Sequence, residues 1–184
     1  MHPWLHFKTI TRHKLLVMHY CFRAGMYKQG LLHDLSKYAP VEFLVGCKYY
    51  QGDRSPNNAE REDTGISKSW LHHKGRNKHH FEYWVDYAPG DEHIINGVPM
   101  PRKYIAEMVM DRISASRNYL GDKYDQHQPL DYYLKGKEKL WFIHPKTKRD
   151  LEGLLRIIND HGEEVLISYI KNVYLKKDKA LERV

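Results

Sequence analysis

The sequence predicts an all-α bundle, and three observations carry that expectation. Apolar residues recur at three- and four-residue intervals, which lines them along one face of a helix. Alternation over four or more residues is scarce, and the β-branched residues fall within helical spacing. Gly30, Pro40, Pro101 and Gly162 stand at the ends of the periodic stretches, where helices start and stop. With 184 residues, 41% hydrophobic and 29% charged, the chain has a globular composition and enough length for one packed core. A single domain over 1–184 is expected, with its core at about 11–120 and C-terminal helices at about 146–176.

Thr11 is read as the cap of a first helix, from about Arg12 to Lys28. Leu15, Leu16, Met18, Phe22 and Met26 leave it apolar nearly all round, which predicts a central position. A short helix follows through Leu31, Leu32, Leu35 and Tyr38. Pro40 suits the first turn of the next, Val41 to Tyr50. Residues 51–65 are polar, with Pro56 and two asparagines, and are expected as a loop. Trp70 and Leu71 lead into a histidine-rich segment, and a second loop spans 88–101. Pro101 opens a helix to about Asn118, with Ile105, Met108, Val109 and Ile113 on one stripe. Helices at about 146–160 and 163–176 are separated by Gly162, and the last eight, charged residues are expected to fray.

No run reaches the roughly 18 apolar residues that span a bilayer. Met1 to Ile10 lacks a long apolar stretch and a small-residue cleavage site, so no signal peptide is read and a cytoplasmic location is expected. Cys21 and Cys47 sit in apolar helical stretches and are expected as buried thiols. The absence of a CxxC pair argues against a thiolate zinc site. A net charge of +7 favours anionic partners, such as phosphate esters, nucleotides or nucleic acid.

The less ordinary number is 13 histidines, four of them between positions 72 and 80. Histidine is the commonest metal ligand and the natural proton carrier near neutral pH. Four groups of residues point to a metal site. His33-Asp34 joins an imidazole to a carboxylate, a combination suited to intermediate and hard transition ions. On a helix these neighbours point about 100° apart, so one ion could touch both only over that edge. His72-His73 and His79-His80 flank the short basic turn containing Arg76, Asn77 and Lys78. Glu107 and Asp111 are four apart and share a helical face, which calls for a metal or an arginine opposite. Upstream, His13 and His19 lie on different faces of the first helix, and only one is needed as a ligand.

The order His13, His33-Asp34, His72-His73, Asp111 resembles the HD-domain superfamily of metal-dependent phosphohydrolases. His33-Asp34-Leu35-Ser36-Lys37 is similar to the HD-x-[GS]-K stretch of its cyclic-dinucleotide phosphodiesterase branch, where the lysine reaches a substrate phosphate. The chain departs from that branch in lacking the Gly-Tyr-Pro signature. A closer resemblance is to an uncharacterised family of small bacterial and phage proteins. It has the pattern HD-x-SK-x(4)-E, then HH-x(3)-N-x-HH, then EM-x(2)-D. Here these are His33, Asp34, Ser36, Lys37 and Glu42; His72, His73, Asn77, His79 and His80; and Glu107, Met108 and Asp111. In that pattern the upstream histidine is His13.

The resemblance implies an HD-like helical bundle with a metal site between helices. His13, His33, Asp34, His72, His73, His80 and Asp111 are the expected ligands of one or two divalent ions. Iron or manganese is favoured, and zinc, cobalt or nickel is compatible. Asp34 would bridge two ions, which sit about 4 Å apart in two-metal hydrolases. Lys37, Arg76, Asn77 and Lys78 are expected at the substrate's phosphate, and His79, free of metal, as the proton donor to the leaving oxygen. Arg112 and Arg117 are lesser anion contacts. The expected activity is hydrolysis of a phosphate ester, a nucleotide or a related small molecule. An HD-fold di-iron oxygenase cleaving C–C or C–P bonds fits the same ligand order. A third reading is a metal-stapled module binding nucleotide or nucleic acid, with Lys135 to Lys139 and Lys171 to Lys179 as its basic stretches.

Overall fold

The computed structural model describes residues 1–90 and 93–176, so the expected fraying of 177–184 and the end of the Lys171 to Lys179 stretch lie outside the described residues. Helix α1 runs over Pro3–Arg23, starting well before the predicted Arg12 and ending before Lys28. Pro3 occupies the first turn, where its missing N–H costs nothing. Thr11 lies inside the helix, and its hydroxyl meets the Tyr38 hydroxyl at 3.0 Å instead of capping. His6, Ile10, His13, Val17, Tyr20 and Cys21 are buried. They advance by threes and fours, so α1 buries one stripe and is not central. Leu15 on its other side is 53% exposed.

The predicted 31–38 helix divides into two. Helix α2 covers Tyr27–Leu32, and a 3₁₀ turn covers Leu35–Tyr38. His33 and Asp34 sit in the break between them. Helix α3 is Pro40–Lys48, close to its prediction. The stretch read as a loop contains helix α4, Pro56–Thr64, which also starts on a proline. It buries only Ala59 and Glu60, so its apolar signal is faint. Glu60 anchors it by accepting hydrogen bonds from the hydroxyls of Ser67, at 2.6 Å, and Ser69, at 2.8 Å. Helix α5, Lys68–Lys74, is capped by Ser67, whose hydroxyl accepts the Trp70 N–H at 3.0 Å.

Strands β1, Val85–Tyr87, and β2, Ile95–Gly97, form an antiparallel pair that the sequence does not announce. Three residues are too few to show alternation. Helix α6, Arg102–Leu120, is the central one. Ile105, Ala106, Glu107, Met108, Val109 and Met110 are all buried, so this helix is enclosed around its whole circumference instead of along one stripe. Helix α7, Gln128–Gly136, was not predicted. Helix α8, Pro145–Tyr169, contains the expected break at Gly162, where φ is 83°. Val17 of α1, Ile113 of α6 and Leu151, Leu155, Ile158 and Leu166 of α8 meet in one hydrophobic core. The fold is an all-α bundle with a short hairpin attached. Cys21 and Cys47 are both buried and unpaired, as expected. No described helix is long and apolar enough to cross a membrane.

Candidate metal centre

The centre is assembled where α2 ends. His33 closes α2 in an extended conformation (φ −53°, ψ 126°), and Asp34 follows in the left-handed region (φ 54°, ψ 24°). Asp34 is the sole described residue other than glycine with positive φ. Aspartate tolerates this region better than most side chains, and such backbone outliers concentrate at functional sites. The break lets adjacent side chains enter one pocket, which the helical geometry assumed from sequence would not. Lys14 secures it by donating from its ammonium to the carbonyls of Leu31, at 2.8 Å, and His33, at 3.0 Å. Helix α1 brings His13, α5 brings His73, the turn after α5 brings His79 and His80, and α6 brings Glu107 and Asp111.

The two oxygens of Asp34 face different partners. Oδ2 is 3.3 Å from His33 Nε2, 3.6 Å from His13 Nε2 and 2.6 Å from Lys37 Nζ. Oδ1 is 3.3 Å from His73 Nε2 and 3.4 Å from His79 Nε2. Asp111 Oδ1 completes the first side, 3.0 Å from His13 Nε2 and 3.7 Å from His33 Nε2. His80 Nε2 completes the second, 2.9 Å from His73 Nε2. Two sets able to hold an ion therefore share Asp34: His13, His33, Asp34 and Asp111, and Asp34, His73, His79 and His80, each with ligand atoms within 4.8 Å of one another.

Two outer carboxylates aim the imidazoles. Glu107 Oε1 accepts the Nδ1 hydrogens of His33, at 3.0 Å, and His79, at 3.2 Å. Glu42 accepts those of His73, at 2.8 Å, and His72, at 2.6 Å. A proton held on Nδ1 leaves the Nε2 lone pair for an ion. The fit is visible in what the protein leaves unpaired. Nε2 of His13, His33 and His79 and Oδ1 of Asp34 are buried without a hydrogen-bond partner among the described residues. Buried polar atoms are nearly always paired, and these converge with spacing that could take an ion. An all-nitrogen-and-oxygen set suits divalent iron, manganese, cobalt, nickel or zinc.

The electrostatics are strongly coupled. Burial opposes the charge on Asp34, but His33, Lys37 and His73 outweigh it and hold its carboxyl well below the usual range. Burial likewise opposes Asp111, and hydrogen bonds from His13 and His33 outweigh it. For His33 and His73, burial disfavours the proton, yet Asp34 raises both. Lys37 is raised too, against burial, by Asp34 and Asp111. Burial, with Asp111 and Asp34 nearby, pushes the Tyr119 phenol up despite Lys37.

His13, His33, Asp34, His73, His80 and Asp111 converge as the sequence predicted, with Lys37 beside them. His72 does not join them. It occupies the half-buried flank of α5, where its ring meets Glu42. His79, expected as a free proton donor, falls instead among the convergent groups. Asn77 is a brace, donating to Ser36 Oγ and the His73 carbonyl, both at 2.8 Å. Arg76 and Lys78 are exposed. Arg76 returns to the His72 carbonyl at 3.2 Å and Lys78 lies over the Tyr83 ring at 5.4 Å, so neither is placed at the centre. His19 is exposed, which leaves His13 as the α1 histidine of the cluster. Arg112 faces the Tyr133 ring at 6.0 Å and Arg117 pairs with Glu163 at 2.9 Å. The orienting role of Glu42 was missed in the sequence. The signal was its place in the pattern after Lys37.

Comparison with curated proteins gives no match, and comparison with solved structures gives none. Residues 2–157, most of the chain, match a family of unknown function, DUF5662, and the chain belongs to that family.

Proposed function

We propose that the chain is a metal-dependent phosphohydrolase acting on a phosphate ester, with an HD-type centre that holds two divalent ions. One observation carries this reading: each oxygen of Asp34 faces its own set of ligand atoms, so a single carboxylate serves both sides. A divalent pair held there supplies Lewis acidity toward the phosphoryl oxygens and acidifies water. In the reaction, a water oxygen bonds to phosphorus, the bond from phosphorus to the organic oxygen breaks, and that oxygen takes a proton. Glu107 and Glu42 keep the imidazoles in one tautomer and orientation. Lys37, protonated and half-buried beside Asp34, neutralises the phosphate. A cytoplasmic location goes with this reading, supported by the two unpaired thiols.

The absence of thiolates from both sets also favours a second reading, a di-iron oxygenase on the same scaffold. Protein purified without a histidine tag should carry one or two transition ions per chain and release phosphate from phosphate esters. A chelator should stop that release and added metal restore it. Metal-replete protein that releases no phosphate but contains iron and consumes dioxygen would turn the assignment to the oxygenase. Lys37→Ala should keep the metal and lower phosphate-ester turnover by about 10- to 100-fold, the effect of one lost charge-assisted contact. Unchanged turnover in that variant would remove Lys37 from the substrate.

A further inference from the structure

Behind Lys37 lies a cavity of about 60 Å³, lined by His6, Thr9, Tyr50, Tyr119, Lys37 and His73. It reaches outward to the exposed turn before α4 and the first turn of that helix, where Arg54 and Asn57 form part of its wall. Two of its lining groups touch the bridging carboxylate: Lys37 Nζ at 2.6 Å and His73 Nε2 at 3.3 Å. The cavity therefore abuts the metal centre.

Apart from the Glu42 carboxylate, which is held by His72 and His73, and Arg54 at the outer wall, its remaining polar groups are uncharged and suited to hydroxyls. Thr9 Oγ1 and Tyr50 Oη lie 3.0 Å apart and each retains further hydrogen-bonding capacity. His6 is 6% exposed, and its Nδ1 is buried with no partner among the described residues. Burial, reinforced by Lys37, lowers its pKa to about 4, so the ring is neutral at physiological pH. Room for that ring exists because residue 46 is glycine: a Cβ there would lie 2.0 Å from His6 Nε2. A buried neutral imidazole with an open nitrogen needs a donor or acceptor to meet it. Size then decides between candidates. A water needs roughly 10–15 Å³, so this space takes about four to six water-sized groups. That is the bulk of a three-carbon polyol, and a nucleoside is several times larger.

We infer that this cavity is the substrate pocket of the centre and that it takes the phosphomonoester of a small hydroxylated alcohol, not a nucleotide. The inference rests on the phosphohydrolase reading. The phosphate sits beyond the Lys37 end of the cavity, on the Asp34 side of that ammonium, so the cavity itself holds only the organic part. The hydroxyls of the organic part meet His6 and the Thr9–Tyr50 pair.

The test uses the metal-replete full chain with three probes: glycerol 3-phosphate, ethyl phosphate and adenosine 5′-monophosphate. Turnover and equilibrium binding are measured for each, in wild type, His6→Ala and Tyr50→Phe. Glycerol 3-phosphate is expected to have a kcat/KM at least tenfold above the nucleotide. Tyr50→Phe should raise its KM by about tenfold, as for a lost hydrogen bond, and narrow its advantage over ethyl phosphate, which has no hydroxyl. Should His6→Ala fail to fold, Tyr50→Phe carries the test. Hydrolysis that favours the nucleotide, or a Tyr50→Phe variant identical to wild type on all three probes, overturns the pocket and leaves the phosphohydrolase standing. Selective binding of glycerol 3-phosphate, weakened in Tyr50→Phe, without hydrolysis of any probe, overturns the phosphohydrolase and keeps the pocket.

Discussion

Asp34 concentrates three demands in one residue: a left-handed backbone, two carboxylate oxygens with separate partners, and nearly complete burial. Asparagine satisfies the first and not the second, because one of its terminal groups is a donor. Asp34→Asn is therefore expected to fold and to lose metal affinity by tenfold or much more, measured by equilibrium dialysis. His6 gives a different signal, in stability. Its folded pKa of about 4 lies below the ordinary 6.5, so between those values the unfolded chain binds more protons. Stability contributed by keeping it neutral is present above pH 6.5 and is lost as pH falls toward 4. In that window the wild type should lose up to on the order of 1–3 kcal/mol that His6→Gln does not, read from urea midpoints at each pH. At this scale the sequence was informative about chemistry and poor about direction. His-Asp alone is a common dipeptide, and His33, Asp34 and Asp111 were identifiable through the order they share with the families the chain resembles. His72 and His73 were not separable, because which of them faces inward depends on how α5 is rotated.

At the level of elements, the difficulty was burial without an apolar pattern. Helix α4 was missed because Glu60 and two serines fix it where a leucine stripe usually would. Helix α7 was missed with only Leu130 and Tyr133, besides Pro129, buried along it. Helices α3 and α6 were read well because proline starts and apolar spacing agree there. The hairpin depends on a contact that no local pattern could report. Gly97 lies so close to the 142–144 backbone that a Cβ would stand 2.3 Å from the Phe142 carbonyl oxygen and 2.5 Å from the His144 nitrogen. Backbone cannot turn aside as a side chain can. Gly97→Ala should thus cost about 3 kcal/mol or more, seen as a lower denaturation midpoint, with β2 displaced from the start of α8. A variant as stable as wild type would show that the strand lies elsewhere.

Across the whole molecule, the proposed ligands span His13 to Asp111 and come from α1, the α2 break, α5, the following turn and α6. Ions bound more tightly by the folded chain than by the unfolded one stabilise it by mass action, up to about 4 kcal/mol at a thousandfold excess over Kd. Thermal melting should rise with added metal in wild type and stay flat in Asp34→Ala. The all-α class was readable because composition and periodicity report on the chain as a whole. The convergence of five segments on Asp34 was not, since it follows from long-range packing.

The nearness of His73, His79 and His80 along the chain has a consequence for refolding kinetics. Their set is half assembled by sequence alone, whereas the set with His13 and Asp111 exists only after α1 and α6 have docked. Together with His72 they place four imidazoles within one short stretch, and a denatured chain can chelate an ion there before any helix has packed. Metal present from the start should then act as a trap, holding the 72–80 stretch in non-native coordination. Refolding by dilution should be slower with metal in the buffer than with metal added after folding. His72→Gln, which leaves both folded sets intact, should recover part of the lost rate.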